Sequence, residues 1–245
     1  MRVTYIGHSG FLMEVSKTYF LFDYYEGDIP EMNREYPLVV FVSHKHADHY
    51  NPVIFELVKK HLHVYYVVSK DVPVKWKIKE YEQQKIPLEE KIIVVRKNTD
   101  TELVLPGKET ALKITTLKST DEGVAYLLEY EGKRYYHAGD LNLWLWAGET
   151  KQYNDNMRIK YFKELQKLRG MTLEAAFLPL DPRQEQDAFA GMESFLEYVQ
   201  VTKVFPMHFW GKHSIIGEFL KKHPEHEGRM ARIERTGQAF HLTLQ

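Results

Sequence analysis

The sequence of 245 residues contains no cysteine, and this absence narrows the chemistry that the protein can carry out. It excludes disulfide bonds, thiolate metal ligands and cysteine nucleophiles. A bound metal ion would therefore depend on imidazole and carboxylate side chains. An excess of one charge is missing too, because 33 Lys and Arg residues balance 34 Asp and Glu residues. This balance argues against nucleic acid as a partner, although it does not exclude a local basic groove.

Long hydrophobic runs are also absent from the sequence. No apolar stretch approaches the roughly 18 residues that a membrane-spanning helix needs. The amino-terminal sequence MRVTYIGHSGFLMEV lacks the basic region, apolar stretch and cleavage site of a signal peptide. We therefore expect no membrane partner and a cytoplasmic location. Apolar residues make up 44% of the chain, and no repeat or long linker divides it, which predicts one domain over residues 1–245.

Short runs of β-branched and aromatic residues, separated by turn residues, predict an α/β protein with two sets of strands. The predicted strands are Val3–Ile6, Phe11–Val15, Tyr19–Phe22, Leu38–Val42, His63–Ser69, Lys91–Val95, Leu103–Leu105, Leu112–Leu117, Val124–Tyr130, Arg134–His137, Ala175–Leu180, Lys203–Met207, Met230–Glu234 and Ala239–Leu244. The predicted helices are Asn51–Lys60, Val72–Gln84, Asn156–Leu168, Gly191–Val199 and Ser214–Lys222. Asn51 is the expected cap of the first helix, because Pro52 follows it at the first helical position.

The most informative motif is SHKHADHY, which lies between the apolar run ending at Val42 and the capped helix. Two histidines at i and i+2 of an extended segment point to the same side, so His44 and His46 can converge on one ion. Asp48 and His49 follow where the chain turns, so one loop can serve two ions. Zinc suits imidazole and carboxylate ligands and lowers the pKa of bound water to about 7. Manganese or iron would accept the same ligands.

At this motif the chain resembles the metallo-β-lactamase superfamily, whose HxHxDH loop follows a strand. Other segments are similar to the family's opening strands, its strand ending in Gly-Asp and its final strand ending in a ligand histidine. These segments are Gly7–Phe11, Phe20–Asp23, Tyr136–Asp140 and Val204–His208. The resemblance implies an αββα sandwich. It also implies that His44 and His46 hold the first ion, that Asp48, His49 and His208 hold the second, and that Asp140 bridges the two.

One histidine that the family usually supplies to the first ion has no counterpart here, because none occurs between His63 and His137. Ser119 or Asp121 falls near the expected position, and the Asp121 carboxylate would also suit zinc. His137 could turn toward the site, but it lies three residues before Asp140, which places the two on opposite faces of an ideal strand. Otherwise the first site is weak or empty. We expect a complete second site and a compromised first one, so one or two ions.

Several residues near these motifs are candidates to line the centre. His8 lies in a glycine-flanked turn, and Asp23 could orient a ligand histidine through its second ring nitrogen. Candidates for contacting a substrate are Arg183, which could hold a carboxylate or phosphate, the ring pair Trp144 and Trp146, and His213 as a proton donor. For each of these residues an ordinary turn, core or surface role is the alternative.

These observations favour a metal-dependent hydrolase in which metal-bound hydroxide attacks an ester, lactone or phosphodiester, with Asp48 or a histidine near the site transferring the proton. The balanced charge favours a small-molecule substrate. Two alternatives remain at this stage: a degenerate, non-catalytic metal-binding member of the family, or an oxidoreductase that holds Fe²⁺ in the same ligands. The sequence does not indicate the oligomeric state.

Overall fold

The strands form two mixed sheets that pack face to face. The structure is a computed structural model and describes residues 1–243. The strands are β1 (Arg2–Gly7), β2 (Gly10–Val15), β3 (Thr18–Phe22), β4 (Leu38–Val42), β5 (Val64–Ser69), β6 (Ile92–Val95), β7 (Asp100–Leu103), β8 (Leu112–Lys118), β9 (Val124–Tyr130), β10 (Lys133–His137), β11 (Thr172–Pro179), β12 (Gln200–Met207) and β13 (Ala239–His241). The first sheet has seven strands in the order β13-β1-β2-β3-β4-β5-β6, and the second has six in the order β12-β11-β10-β9-β8-β7.

Each sheet is part antiparallel and part parallel. In the first sheet, β13, β1, β2 and β3 pair antiparallel, whereas β3 to β6 pair parallel. In the second, β7 to β10 pair antiparallel and β10 to β12 pair parallel. The carboxyl ends of β3, β4, β10, β11 and β12 lie together at one edge of the sandwich, and there the functional side chains meet.

Helices cover the outer faces of both sheets. They are α1 (Lys75–Gln83), α2 (Lys151–Leu165), α3 (Ala190–Tyr198) and α4 (Ser214–Lys222). Short 3-10 helices span Pro52–Lys59, Glu89–Lys91, Gln166–Leu168, Pro182–Asp187 and Pro224–His226. The first of these and α1 pack on the seven-stranded sheet, while α2, α3 and α4 pack on the six-stranded sheet. The αββα sandwich predicted from the sequence is confirmed.

The alternation of side chains along the strands explains these layers. In β4, Val39 and Phe41 face the second sheet, whereas Leu38, Val40 and Val42 pack under the outer helices. All five are buried, because both faces of a central strand are covered in a four-layer sandwich. The central position of β4 therefore explains why the run before the histidine motif is apolar at every residue.

Most predicted elements are present, with small shifts at their ends. Asn51 caps its helix as expected, since its side chain accepts a hydrogen bond from the Val53 amide, but the helix is of the 3-10 type. The strand predicted at Leu103–Leu105 lies earlier, at Asp100–Leu103. Among the described residues, no helix is both long and apolar enough to cross a membrane.

The prediction of a strand at Met230–Glu234 is wrong. Only Met230 forms a bridge, to Val204, and the segment then leaves the sheet. Its apolar residues Met230, Ala231 and Ile233 are buried because they pack on the core rather than because they lie in a strand. The last predicted strand is shorter, at Ala239–His241. Its predicted end at Leu244 lies outside the described residues.

Candidate metal centre

His44, His46 and Asp140 form the first of two adjoining groups of potential metal ligands. The Nε2 atom of His44 lies 3.1 Å from Nδ1 of His46 and 3.3 Å from Oδ2 of Asp140. Each residue offers one donor atom, and the three atoms lie within 4.8 Å of one another. His44 and His46 leave the end of β4 on the same side, as their spacing predicts.

The second group contains His8, Asp48, His49 and His208, and its four donor atoms also lie within 4.8 Å of one another. His8 follows β1, Asp48 and His49 follow β4, and His208 follows β12. The Nε2 atoms of His8, His49 and His208 are buried and have no hydrogen-bond partner among residues 1–243. Leaving three such nitrogens unsatisfied is costly, and a shared cation would offset that cost.

Asp140 lies between the two groups and presents one oxygen to each. Its Oδ2 is 3.3 Å from Nε2 of His44, while its Oδ1 is 3.2 Å from Nε2 of His49 and 3.4 Å from Nε2 of His208. The preceding Gly139 has a φ of +50°, and a Cβ there would lie 2.7 Å from Cβ of Ser43. The glycine therefore allows the Asp140 turn to approach the histidine loop closely.

One buried carboxylate, Asp23, positions histidines of both groups. Its Oδ2 accepts a hydrogen bond of 2.8 Å from Nδ1 of His49 and one of 2.6 Å from Oγ of Ser43. Since the Ser43 hydroxyl donates to Asp23, it accepts from Nδ1 of His44 at 2.9 Å. Both imidazoles thus carry a proton on Nδ1, and their Nε2 atoms face Asp140.

Asp181, at the end of β11, does the same for His208. Its Oδ2 accepts from Nδ1 of His208 at 2.8 Å and from the indole of Trp210 at 3.2 Å. The Arg183 guanidinium also donates to Asp181 and lies 4.4 Å from the ring centroid of Trp210. Burial opposes ionisation of Asp181, but the hydrogen bonds from His208 and Arg183 lower its pKa to about 2.

The charges at the centre favour a cation. Burial acts to lower the pKa of His49, but the negative charges of Asp140 and Asp23 outweigh it and raise that pKa well above its usual value. Burial likewise opposes ionisation of Asp140, yet the positive charge of His49, whose Nε2 lies 3.2 Å from Oδ1, holds the pKa of Asp140 well below the usual range. Without a metal ion, protons on imidazole therefore balance the buried carboxylates.

The donors fit a divalent metal ion. Imidazole nitrogens and carboxylate oxygens suit zinc, manganese and iron. The unpartnered nitrogens of the second group lie within 4.8 Å of one another, and the Asp23 and Asp181 carboxylates accept hydrogen bonds from the other ring nitrogens of His49 and His208. Metal-binding histidines usually have such partners on their second nitrogen.

The three candidates for the missing histidine ligand lie in different places. Asp121 lines the pocket beside His46 but does not join either group of converging donors. Ser119 is buried and accepts a hydrogen bond from the Asp121 amide. His137 lies outside the centre: its Nε2 donates to the Ser9 carbonyl, its Nδ1 accepts from Gly139, and burial lowers its pKa. Within the part of the chain that the structure describes, the first group therefore has three protein donors.

A pocket of about 340 Å³ opens onto the centre. Trp144 and Trp146 stack in its wall with their ring planes 3° apart, and the Trp144 indole donates to the Asp140 carbonyl. Arg183 also lines the pocket. Trp210, in the segment that follows His208, also lines the pocket, whereas the lining residues Thr120, Tyr153 and Met157 were not predicted from the sequence. Tyr153 and Met157 could have been predicted as lining residues, because they lie in the helix that follows the tryptophan pair.

His213 lies away from this pocket. Its Nδ1 donates to the Ile233 carbonyl, and its ring packs against Phe209 and Tyr5. The position of His213 therefore does not support the predicted role of this residue as a proton donor. A separate group at the surface, His223, Glu225 and His226, is a poorer metal site because Arg229 donates to Nδ1 of His226. That bond leaves the proton of a neutral His226 on Nε2, the atom that faces the other donors.

Comparisons with known proteins agree with this architecture. A family model described as "Beta-lactamase superfamily domain" matches residues 2–155, which is more than half of the chain. A UPF0173 metal-dependent hydrolase of Opitutus terrae is 42% identical over 65 residues, covering 25% of this chain and 28% of that protein. The similarity thus spans only about a quarter of that relative.

Two solved structures are similar over nearly the whole chain. Igni18, described as a novel metallo hydrolase from the archaeon Ignicoccus hospitalis, has a TM-score of 0.61 at 20% identity, covering 99% of each chain. CmlA, a diiron beta-hydroxylase from Streptomyces venezuelae, has a TM-score of 0.62 at 10% identity, covering 98% of this chain and 54% of that chain. At these identities the similarity shows a shared fold alone.

Proposed function

Because the chain belongs to the beta-lactamase superfamily, we propose that it is a metal-dependent hydrolase acting on an ester, lactone or phosphodiester of a small molecule. One observation carries the proposal. Buried Nε2 atoms from separate strand ends converge beside Asp140 without hydrogen-bond partners. The residues that would hold the metal are His44, His46, Asp48, His49, Asp140 and His208. We propose zinc as the metal, with manganese or iron as substitutes for the same donors.

When bound, the metal would supply a water molecule of lowered pKa and a positive charge that stabilises a developing oxyanion. Asp48 lines the pocket, and its Oδ2 lies 3.4 Å from Nε2 of His8. Burial opposes ionisation of Asp48, but the His8 imidazole nearby and the positive charge of His49 lower its pKa. An ionised carboxylate at this wall would accept a hydrogen bond from the attacking water and orient it.

The pocket supports a small substrate with an anionic group. A volume of about 340 Å³ suits a small molecule, and the parallel rings of Trp144 and Trp146 offer an apolar face. Arg183 uses Nε and Nη2 to bind Asp181, and its side chain is half exposed. Its remaining nitrogen, Nη1, would bind a carboxylate or phosphate of the substrate.

The proposal is tested by assaying purified, zinc-loaded protein and manganese-loaded protein on generic esters, lactones and phosphodiesters. We expect hydrolysis of at least one class, and a loss of about 10³-fold in His49→Ala, of the size seen when a stabilising group is removed from a catalytic site. His213→Ala is the matched control, because this histidine lies outside the pocket, and it should keep full activity.

Two alternatives make different predictions in the same assay. A degenerate metal-binding member would bind zinc but hydrolyse none of the substrates. An iron-dependent oxidoreductase would be inactive with zinc and would consume oxygen with Fe²⁺. Metal analysis of the purified protein separates these cases further, because it gives the identity and number of the ions.

A further inference from the structure

His8 is the donor of the second group to which the family resemblance assigns no ligand role. Its side chain is buried at the end of β1, and its Nε2 lies within 4.8 Å of the donor atoms of Asp48, His49 and His208. Donor atoms that bind one zinc ion at about 2.0–2.2 Å lie roughly 3–4.4 Å from one another, so these four atoms need only draw slightly closer together to share an ion. The imidazole nitrogen has no hydrogen-bond partner.

The backbone holds His8 in this position at a conformational cost. Its φ is +50°, a left-handed value that histidine seldom adopts. The His8 amide donates to the Tyr5 hydroxyl at 2.9 Å, and its carbonyl accepts from the His208 amide at 3.2 Å. The two imidazole rings lie 4.1 Å apart. Such strain persists where the surrounding structure requires it, and it is common at functional sites.

We propose that His8 is a metal ligand, and that it makes the two metal positions unequal. The position beside His49 then has five protein donors: His8, Asp48, His49, His208 and Oδ1 of Asp140. The position beside His44 has three: His44, His46 and Oδ2 of Asp140. The five-donor position binds its ion tightly, and the three-donor position exchanges its ion readily.

This difference gives the two metal positions different roles, one structural and one catalytic. Metal sites closed by protein ligands are typically structural, whereas catalytic sites keep open coordination positions. Both positions adjoin the pocket, one through His46 and the other through Asp48 and His208, but only the three-donor position keeps open coordination positions. Activity therefore requires a metal ion at the three-donor position. This last step alone rests on the proposed hydrolase function, since the ligand role of His8 concerns metal binding only.

The competing role for His8 is to hydrogen-bond Asp48, whose Oδ2 lies 3.4 Å from Nε2 of His8. The variants His8→Ala and His8→Gln separate the two roles. Glutamine places an amide donor near the position of Nε2 and would restore the hydrogen bond, but it does not replace an imidazole nitrogen as a ligand. His213→Ala again serves as the control that removes a histidine outside the centre.

The experiment titrates metal-free protein with Co²⁺ and Zn²⁺, and it measures stoichiometry by metal analysis and affinity by competition with a chelator. Co²⁺ absorption reports the ligands around each ion. We expect wild type to bind one ion at least about 10-fold more tightly than the second. His8→Ala and His8→Gln should both weaken the tight ion by about 10-fold or more, as loss of a supporting partner already costs 10–100-fold. His46→Ala should lose only the weak ion.

Unchanged affinity in His8→Ala, or full recovery in His8→Gln, would overturn the proposal. Thermal unfolding of the metal-free variants shows whether each one folds. Activity is measured along the same titration, and it should rise with the second equivalent of metal rather than the first. Full activity after one equivalent of metal would refute the assignment of a catalytic role to the three-donor position. Absence of turnover on every substrate would overturn the hydrolase proposal, while the Co²⁺ titration would still decide the role of His8.

Discussion

Gly123 offers the sharpest test of how the second sheet reaches the metal centre. It ends the loop before β9, with a φ of +70°, and a Cβ there would lie 2.0 Å from the Ser43 carbonyl oxygen and 2.5 Å from Cβ of His44. Gly123→Ala therefore adds two costs: about 1–2 kcal/mol for a side chain in the left-handed region, and about 1–3 kcal/mol for overpacking. We expect a loss of about 2–5 kcal/mol in the free energy of unfolding.

Gly107→Ala is the matched control. Gly107 has the same φ of +70°, but a Cβ there would meet nothing within 4 Å. The backbone penalty and the change in unfolded-state entropy are therefore common to both variants, and their difference isolates the steric overlap. That difference should be about 1–3 kcal/mol.

The assay is urea unfolding of chelator-treated protein, because bound metal would add its own stabilisation. The midpoint should shift with little change in slope. A difference below about 0.5 kcal/mol between the two alanine variants would refute the reasoning, because it would mean that the loop can move away from Ser43 at no cost. We also expect Gly123→Ala to weaken metal binding, since His44 must shift with its backbone.

Three further predictions concern the supporting residues. Asp181→Asn should weaken metal binding by about 10–100-fold, measured by chelator competition, because the charged partner of His208 is lost. Asp155→Asn, at a half-exposed aspartate that pairs with Lys151 on α2, should leave metal binding unchanged. Tyr126→Phe should cost about 1 kcal/mol of stability in urea, because its hydroxyl donates to the Val42 carbonyl at 2.8 Å, and metal stoichiometry should not change. The proton on His49, whose pKa is raised, stabilises the metal-free protein fully below the unfolded value of about 6.5 and progressively less as pH rises through the folded pKa. Metal-free stability should thus fall above about pH 6.5 while metal affinity rises, and a pH-independent affinity would contradict this.

Much of the centre follows from patterns within short segments. The apolar run Leu38–Val42 predicts a strand with two buried faces, and the spacing of His44 and His46 predicts convergence on one side. The Gly-Asp pair has a physical reason as well, because only a residue without Cβ allows the Asp140 turn to approach Ser43. Each of these inferences depends on neighbours in sequence, so a single chain is sufficient for it.

Other features depend on which strand ends meet. Asp181 lies 27 residues before His208, yet their side chains are 2.8 Å apart because β11 and β12 are adjacent parallel strands. The pairing of Asp181 with His208 could have been inferred from the order of the strands, since parallel strands present their carboxyl ends at one edge. The Met230–Glu234 prediction failed for a related reason, because burial by packing and burial within a sheet leave the same apolar pattern.

The sequence by itself determined the kinds of atoms that this protein can offer a metal and the layers into which its strands fold. Without cysteine, the donors had to be nitrogen and oxygen, and alternation along the strands decided which side chains face the second sheet. Only the tertiary structure decided that Asp23 supports both His44 and His49, and that His8 joins the second group of donors. Such convergence depends on how the two sheets pack and on backbone angles at single residues, and periodicity along the chain carries no information about either.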